Sequence, residues 1–248
     1  MSHDFKKNKF LRKFVNLFGY KLIEKKFIKN YQFLLNEVID EKYYLNLIFQ
    51  KKKFKKLVHI GANDGETDDF VSDIIYKNNV KALLVEPLAE NYEILKKKYF
   101  NHTNVQTVNC AISDRNGKKN FYFVENKNKI YYTKNINLIA SFEISNLINY
   151  GVLKKHISCK TIDTLSLHSV LNKNDFLDFE ILVLDVEGYD FHILKQLGSF
   201  FKNQPVICFE WVNFQLEDLK KVLDLFPSNY KFMMFSKDII SVPEGHLK

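Results

Sequence analysis

The chain has 248 residues, of which 46% are hydrophobic, 15% aromatic and 27% charged. This length suits one α/β domain with an extension or an insertion better than two full domains, and the composition excludes an intrinsically disordered chain. With only 8 Gly and 4 Pro, the elements are expected to be long and the loops few.

Positive charge is concentrated at the N-terminus. Residues 1–56 hold 15 Lys and Arg against 5 Asp and Glu, a net charge of +10, whereas the other 192 residues carry 22 basic and 24 acidic side chains. Such a segment can bind nucleic acid, anionic lipid or an anionic partner, but a solvated helix surface is the favoured interpretation. The basic excess therefore belongs to an extension and not to the predicted α/β domain.

Residues 1–50 are predicted to form this basic helical extension, with two or three helices broken near Gly19 and Asn30. Apolar residues recur at helical spacing and lysines cover the other faces. The apolar stripe is expected to pack on the domain or on a second subunit, which would make a homo-oligomer, with peripheral membrane contact as the open alternative.

The three cysteines and the N-terminus indicate the compartment. Cys110, Cys159 and Cys208 are far apart and odd in number, which favours buried thiols in a reducing environment over zinc or a disulfide framework. The chain begins without the apolar run of a signal peptide, and no segment approaches the ~20 apolar residues of a membrane span. We expect a cytoplasmic protein.

From residue 51 to 248 the pattern predicts a single α/β domain with a mostly parallel sheet. Strands are predicted at 57–60, 81–86 and 105–109, and the helices between them at 67–76 and 89–99. This alternation implies right-handed crossovers.

The alternation stops at residue 117 and returns after residue 160. Residues 117–160 are interpreted as a lid-like insertion over the sheet edge, before the fourth core strand, with a strand at 120–124. Further elements are predicted as strands at 179–185 and 205–210, helices from Tyr189 and at 217–226, and a terminal antiparallel pair at 231–235 and 238–242.

A nucleoside site is predicted where the first strand ends. Gly61 and Gly65 form a Gly-x-x-x-Gly turn that lets the backbone approach a ligand, and Glu86 ends the next strand, where an acidic residue can accept hydrogen bonds from ribose hydroxyls. A dinucleotide would require Gly-x-Gly-x-x-Gly, but the second position is Asn63. Asn63 and Asp64 could serve the ammonium and carboxylate of a methionine tail, so S-adenosylmethionine is favoured over NAD.

Five segments in one order resemble the FkbM-type methyltransferases: His59–Gly65, Glu86–Pro87, Asn109–Asp114, Thr161–Leu165 and Leu184–Tyr189. The resemblance spans roughly residues 55–212. It implies a Rossmann-like class I methyltransferase fold and an S-adenosylmethionine-dependent O-methyltransferase, many relatives of which act on sugar hydroxyls of glycosides, natural products and bacterial surface polysaccharides.

The resemblance also assigns site residues. It implies that the cofactor is held by the loop after the first strand, by the ribose ligand Glu86 and by a segment beside the adenine. These positions are His59, Gly61, Ala62, Asn63, Asp64, Gly65, Glu86, Asn109, Cys110, Ala111 and Ser113. His59 is a departure, because the family usually has Asp there. That carboxylate often steadies the cofactor loop or the methionine ammonium group, and Asp64 could make this contact instead.

Transfer of a methyl group to a sugar hydroxyl requires an aligned acceptor oxygen and a group that removes its proton. Asp185 is the first candidate for the base or the acceptor-positioning group, with Glu187 and Glu210 as alternates, because all three are predicted at strand ends. These carboxylates could also hold a divalent metal, although no spacing establishes one. Glu187 could instead cap the following helix.

The leading hypothesis is O-methylation of a sugar hydroxyl, on a nucleotide-linked sugar or a glycan precursor of bacterial surface polysaccharide (a capsule, for instance). The alternatives are an RNA-binding protein or RNA methyltransferase that uses the basic N-terminus, and a non-catalytic oligomerising scaffold. DNA is not an expected partner. RNA is disfavoured because no arginine-rich stripe or known RNA module is present.

Overall fold

The computed structural model describes residues 41–66, 70–133, 136, 138–235 and 237–246. Residues 45–248 form one compact unit. The helices predicted before residue 41 lie outside the described residues, and the first described helix, α1, covers Glu41–Lys51. The predicted division of the chain at residue 50 stays a prediction.

Eleven strands are found in the described residues. They are β1 (Lys56–Ile60), β2 (Lys81–Val85), β3 (Val105–Val108), β4 (Ala111–Ile112), β5 (Gly117–Val124), β6 (Ala140–Ser141), β7 (Ile157–Leu165), β8 (Ile181–Leu184), β9 (Val206–Glu210), β10 (Tyr230–Met234) and β11 (Asp238–Pro243).

Helices connect most of these strands. After α1 they are α2 (Phe70–Asn78), α3 (Ala89–Lys98), α4 (Ile144–Asn149), α5 (Leu167–Lys173), α6 (Asp190–Leu194) and α7 (Leu216–Leu223). Short 3-10 turns cover Asn126–Tyr131, Lys154–His156, Gly198–Asn203 and Glu244–His246.

The main sheet has seven strands in the order β10-β11-β9-β8-β1-β2-β3. The five strands from β9 to β3 run parallel, and β11 is antiparallel to both β9 and β10. In the centre, β1 pairs on both sides, with Leu57 opposite Ala82 of β2 and Ile181 of β8. The strands β8 and β9 are buried along their whole length, as expected for parallel strands covered on both faces.

The predicted fold class is confirmed. The predicted strands are all present, and the terminal antiparallel pair forms between β10 and β11. The helix predicted at 67–76 corresponds to α2, which is described only from Phe70, because residues 67–69 lie outside the described part of the chain. Since β8 ends at Leu184 and β1 at Ile60, the polar residues that follow lie together at the carboxyl edge of the sheet.

A second sheet of four strands, in the order β4-β7-β5-β6, contains the predicted insertion. Its main pairing is the antiparallel ladder between β5 and β7, from Gly117 opposite Thr164 to Val124 opposite Ile157. This sheet extends beyond 117–160 at both ends, because β4 begins at Ala111 and β7 ends at Leu165.

The main core lies on the face of the sheet covered by α5, α6 and α7. Phe179 and Phe209 are fully buried there, and Val170 and Val222 come from the covering helices. A smaller core at the far end of the insertion contains Val124, Leu147 and Val152. The insertion is thus anchored by its own apolar cluster.

The prediction that all three thiols are buried is wrong for one of them. Cys110 and Cys208 are buried, but Cys159 is exposed on β7, which has one face open to solvent. In the part of the chain that the structure describes, no helix is long and apolar enough to cross a membrane.

Candidate functional site

A pocket opens at the carboxyl ends of β1, β2 and β8, where the insertion covers the sheet edge. We call it the strand-end pocket. The space between its walls is about 560 Å³, a volume that includes open solvent. The main sheet and its loops contribute one wall and the insertion the other. Its lining is Ile60, Gly61, Asn63, Glu86, Pro87, Cys110, Ala111, Ile112, Phe121, Leu138, Ala140, Phe142, Asp185, Val186, Glu187 and Tyr189.

Gly61 allows two loops to meet at the base of this pocket. Its φ is +86°, and a Cβ atom there would overlap the backbone carbonyl of Asp185. The amide of Asp185 in turn donates a hydrogen bond of 3.0 Å to the carbonyl of Ile60. The glycine therefore permits contact between the β1 and β8 loops, in addition to leaving space for a ligand.

Glu86 organises the floor of the pocket. Its carboxylate accepts hydrogen bonds from the backbone amides of Asn63 (2.9 Å) and Leu88 (2.8 Å). Only 4% of Glu86 is exposed. Burial raises the pKa of Glu86 to about 7, an effect that the two amides partly offset and the charge of Asp185 increases. The group can therefore change its protonation state when a ligand binds.

Asn63 carries an unsatisfied polar atom. Its φ is +51°, in the left-handed region that Asn tolerates better than most residues. The side-chain oxygen Oδ1 is buried and accepts no hydrogen bond within the described residues. Because a buried acceptor without a donor is costly, this atom is ready to accept a donor from a ligand.

The far side of the same loop packs on α3. A Cβ atom on Gly65 would lie 2.7 Å from Cδ1 of Leu95, and Lys98 Nζ donates to the carbonyl of Gly65 and to Ser72 Oγ. Asp64 is buried and accepts a hydrogen bond of 2.9 Å from the amide of Glu66. Gly65 and Asp64 thus fix the loop without lining the pocket.

The segment after β3 contributes backbone and apolar contacts. Cys110 and Ala111 line the pocket, whereas Asn109 donates hydrogen bonds to the carbonyls of Glu86 (2.8 Å) and Pro87 (3.2 Å) and so ties this segment to the β2 loop. Ser113 is fully buried and its hydroxyl donates to Asp114 (2.7 Å).

Four carboxyl groups gather beyond β8 and β9. Burial raises the pKa of Glu187 and of Asp190 well above the ordinary range, and the charges of Asp185 and Glu210 raise both further. Burial likewise raises the pKa of Glu210 to about 7, again with a contribution from Asp185. A positive charge placed at this edge of the sheet would therefore favour ionisation of these carboxyl groups.

Polar residues surround these carboxyl groups. Tyr150 lies close enough to Glu187 for each group to shift the pKa of the other, and Oε2 of Glu187 is buried with no hydrogen-bond partner among the described residues. The Asn213 amide donates to Glu210 Oε2 (2.6 Å) and to the Tyr150 hydroxyl (3.3 Å). Asn146 donates to the backbone carbonyl of Glu187 (2.6 Å). The insertion therefore helps to set the position of Glu187.

A second depression, the side groove, adjoins the strand-end pocket and shares Phe142 and Tyr189 with it. Lys119 Nζ donates to Asp114 Oδ1 (2.5 Å) and to the Tyr189 hydroxyl (2.8 Å), and lies over the Phe142 and Tyr189 rings. The His192 ring stacks on Tyr189 at 4.4 Å. The other members of its lining are Asn120 and Glu143.

The structure brings together half of the residues predicted for the site. The lining of the strand-end pocket includes Gly61, Asn63, Glu86, Cys110, Ala111, Asp185 and Glu187. Outside that lining lie His59, Ala62, Asp64, Gly65, Asn109, Ser113 and Glu210.

His59 is placed away from the pocket by the alternation of side chains along a strand. Ile60 lines the pocket, so the preceding residue projects to the opposite face of the sheet, where His59 is buried. Sequence reasoning missed the apolar wall from the insertion, which includes Phe121, Leu138 and Phe142. It also missed Asp190. The strand predicted at 120–124 contains Phe121, but that prediction did not include the pairing register that places this residue in the pocket.

No metal centre is found in the described part of the chain, where no three or more His, Cys, Asp or Glu side chains are arranged to hold an ion. The divalent metal that the sequence left open gains no support from this arrangement.

The sheet order, the pocket at its switch point and the acidic residue ending β2 define a Rossmann-like α/β domain of the class I methyltransferase type. A family model described as "Methyltransferase FkbM domain" matches residues 59–234. The chain belongs to this FkbM methyltransferase family.

Two solved structures are similar to this chain at low sequence identity. An FkbM methyltransferase from Methylobacillus flagellatus KT is 13% identical, with a TM-score of 0.50 over 76% of this chain and 44% of that one. A precorrin-6y C5,15-methyltransferase from Geobacter metallireducens GS-15 is 12% identical, with a TM-score of 0.41 over 83% and 90% of the two chains. The chain thus spans less than half the length of the FkbM structure it matches. No curated protein matches it.

Proposed function

We propose that the protein is an S-adenosylmethionine-dependent methyltransferase that methylates a hydroxyl group of a sugar. The observation that carries the proposal is the buried Glu86 carboxylate on the floor of the strand-end pocket, inside the FkbM domain. A carboxylate at the end of the second strand is positioned to accept hydrogen bonds from ribose hydroxyls.

The residues present fit this cofactor. The unsatisfied Asn63 Oδ1 can accept a hydrogen bond from an ammonium group, and Cys110 and Ala111 with Phe142 provide apolar walls suited to a purine. Asp185 and Glu187 form an acidic wall opposite. The cofactor carries a sulfonium and an ammonium group, so the excess of carboxyl groups favours it electrostatically over its neutral-sulfur product.

When bound, the cofactor supplies a methyl group that is already strongly electrophilic. In the transfer, a carbon–oxygen bond forms as the carbon–sulfur bond breaks, and the hydroxyl proton must move to a base. We assign this role to Glu187, because it lines the pocket, its backbone is held by Asn146, and its raised pKa makes its carboxylate a better proton acceptor. Asp185 is exposed and is assigned to positioning the acceptor.

The side groove supports a polyhydroxylated acceptor. Asp114, Lys119 and His192 present hydrogen-bonding groups around the Tyr189 and Phe142 rings. Carboxylate, ammonium and imidazole groups together recognise hydroxyls, and aromatic rings can pack on the apolar face of a sugar. The neutralised Lys119–Asp114 pair favours the sugar itself over a strongly anionic group.

The test has two parts. Isothermal titration should show S-adenosylmethionine binding that Glu86→Ala abolishes and that Glu187→Gln leaves within about threefold, since Glu187 is assigned to proton transfer. A screen of nucleotide-linked and free sugars, read by mass for one added methyl group, should then show turnover by the native chain and a loss of about 100-fold in Glu187→Gln.

Glu217→Gln, on an exposed part of α7, is the matched control and should change neither readout. Absence of cofactor binding in the folded native chain would refute the proposal. Methylation of RNA but of no sugar would refute its acceptor. The RNA and scaffold alternatives, and the contacts expected of residues 1–50, rest on a segment that the structure describes only from Glu41 and remain predictions, as does the cytoplasmic location.

A further inference from the structure

Two turns of the insertion expose large apolar side chains. In the 3-10 turn Asn126–Tyr131, Ile130 is 81% exposed and Tyr131 is 65% exposed, and Leu153, next to the turn Lys154–His156, is 54% exposed. Single exposed apolar residues are ordinary, but exposed apolar residues that adjoin one another can form an interaction surface.

The two turns are joined to each other. The Tyr132 hydroxyl accepts a hydrogen bond of 3.0 Å from the Leu153 amide and lies 2.7 Å from Nδ1 of His156. The His156 ring stacks on Tyr131 at 5.2 Å, and its carbonyl accepts from the amide of Glu125 (3.0 Å). These contacts make one surface from two separate segments. We call residues 126–132 and 153–156 together the insertion tip.

The insertion tip stands on a packed base. Val124 and Leu147 are fully buried beneath it and Val152 is 2% exposed. Its apolar side chains therefore project from an ordered structure and are not displaced from a core that could bury them.

Positive charge surrounds the apolar side chains. The tip carries four lysines: Lys127, Lys129, Lys154 and Lys155. The first two pair with Glu125 (2.9 Å) and Glu90 (3.4 Å). The other two are exposed, so the tip retains a net positive charge.

We propose that the insertion tip binds the surface of an anionic lipid bilayer. Ile130 and Leu153 enter the headgroup region, Tyr131 lies at the interface where tyrosine is favoured, and the lysines contact anionic headgroups. A bilayer fits better than a protein partner, because the eleven residues of the tip are fewer than the roughly 20–30 that a stable protein interface uses on each side. This surface is independent of the proposed reaction.

Flotation of the full chain with vesicles tests the proposal. The probes are phosphatidylcholine vesicles with and without roughly one third phosphatidylglycerol. The native chain should bind the anionic vesicles, and the double variant Ile130→Ser/Leu153→Ser should bind them about tenfold more weakly. The double variant Lys154→Gln/Lys155→Gln should also bind more weakly, with a shallower dependence on salt.

Phe100→Ser is the matched control, because Phe100 is also 81% exposed but lies after α3, outside the tip. The basic N-terminus is retained in every variant, so its contribution cancels. Binding within twofold of the native chain in both double variants would overturn the proposal, as would an equal loss in Phe100→Ser. Failure of the native chain to bind anionic vesicles would overturn it too. Circular dichroism and S-adenosylmethionine titration verify that the variants remain folded.

Discussion

Replacing Glu210 by glutamine should stabilise the unliganded protein at alkaline pH. Glu210 is 8% exposed, and burial raises its pKa from the ordinary 4.5 to about 7. Between these values the unfolded chain has lost the proton that the folded chain retains, so the free energy of unfolding falls as pH rises. The full effect is about 3 kcal/mol, and Gln does not titrate.

The glutamine variant should lack this loss of free energy of unfolding. Relative to the native chain, Glu210→Gln should gain about 2 to 3 kcal/mol in free energy of unfolding on going from pH 5 to pH 8. The Gln carbonyl can still accept the hydrogen bond of 2.6 Å from Asn213, so little difference is expected at pH 5. The methyl-transfer rate should fall, because a residue of the acidic edge has been neutralised.

Urea unfolding at the two pH values measures this difference directly, with exposed Glu217→Gln as the control that should show none. Equal stability differences at pH 5 and pH 8, or a variant less stable than the native chain at pH 8, would refute the reasoning. In either case, burial and the neighbouring carboxylates would not raise the pKa of Glu210 in the folded chain.

The other predictions concern the glycine turn, Glu86 and the thiols. Gly61→Ala should lower the melting temperature and abolish cofactor binding, because its Cβ atom meets a backbone carbonyl. The control is Gly151→Ala, because Gly151 has nearly the same φ (+87°) but open space around the Cβ atom. This variant should lower the free energy of unfolding by only about 1–2 kcal/mol. S-adenosylmethionine binding near pH 7 should release a proton from Glu86, since the ionised carboxylate is the better acceptor. The affinity should therefore rise up to roughly tenfold from pH 6 to pH 8. Titration in buffers of different ionisation enthalpy detects the released proton. Iodoacetamide should label exposed Cys159 quickly and Cys110, whose pKa burial raises to about 12, slowly; equal rates by peptide mapping would contradict the structure.

The main sheet was predictable because its strands are short apolar runs that end in polar residues. The strand at 179–185 is an example, since both of its faces are covered and its residues therefore need not alternate. The helix boundaries were less accurate. The helix expected at 217–226 is Leu216–Leu223, because helix ends depend on caps and tertiary contacts that the apolar pattern does not contain.

The insertion was predictable as an interruption but not as a structure. Its strands β5 and β7 pair across more than thirty intervening residues, and only the register of that ladder places Phe121 over the sheet edge. The predicted loss of α/β alternation at 117–160 therefore gave the place of the second wall of the pocket without its residues.

The position of a residue in a motif did not always predict whether its side chain faces the pocket. The Gly61 turn and Glu86 lie where the spacing predicts, because both follow directly from strand ends. His59 belongs to the same motif but faces away from the pocket, and Asn109 binds the carbonyls of Glu86 and Pro87. The pKa of Asp190 depends on burial and on neighbouring carboxylates, which become adjacent only after folding.

A crystal structure with S-adenosylhomocysteine tests the central claim most directly. We expect the nucleoside to lie in the strand-end pocket, with both ribose hydroxyls within hydrogen-bond distance of the Glu86 carboxylate. The adenine should lie between Cys110–Ile112 and Phe142, and the sulfur atom on the side of Asp185 and Glu187. Density for the ligand outside this pocket, or a ribose that makes no contact with Glu86, would contradict it.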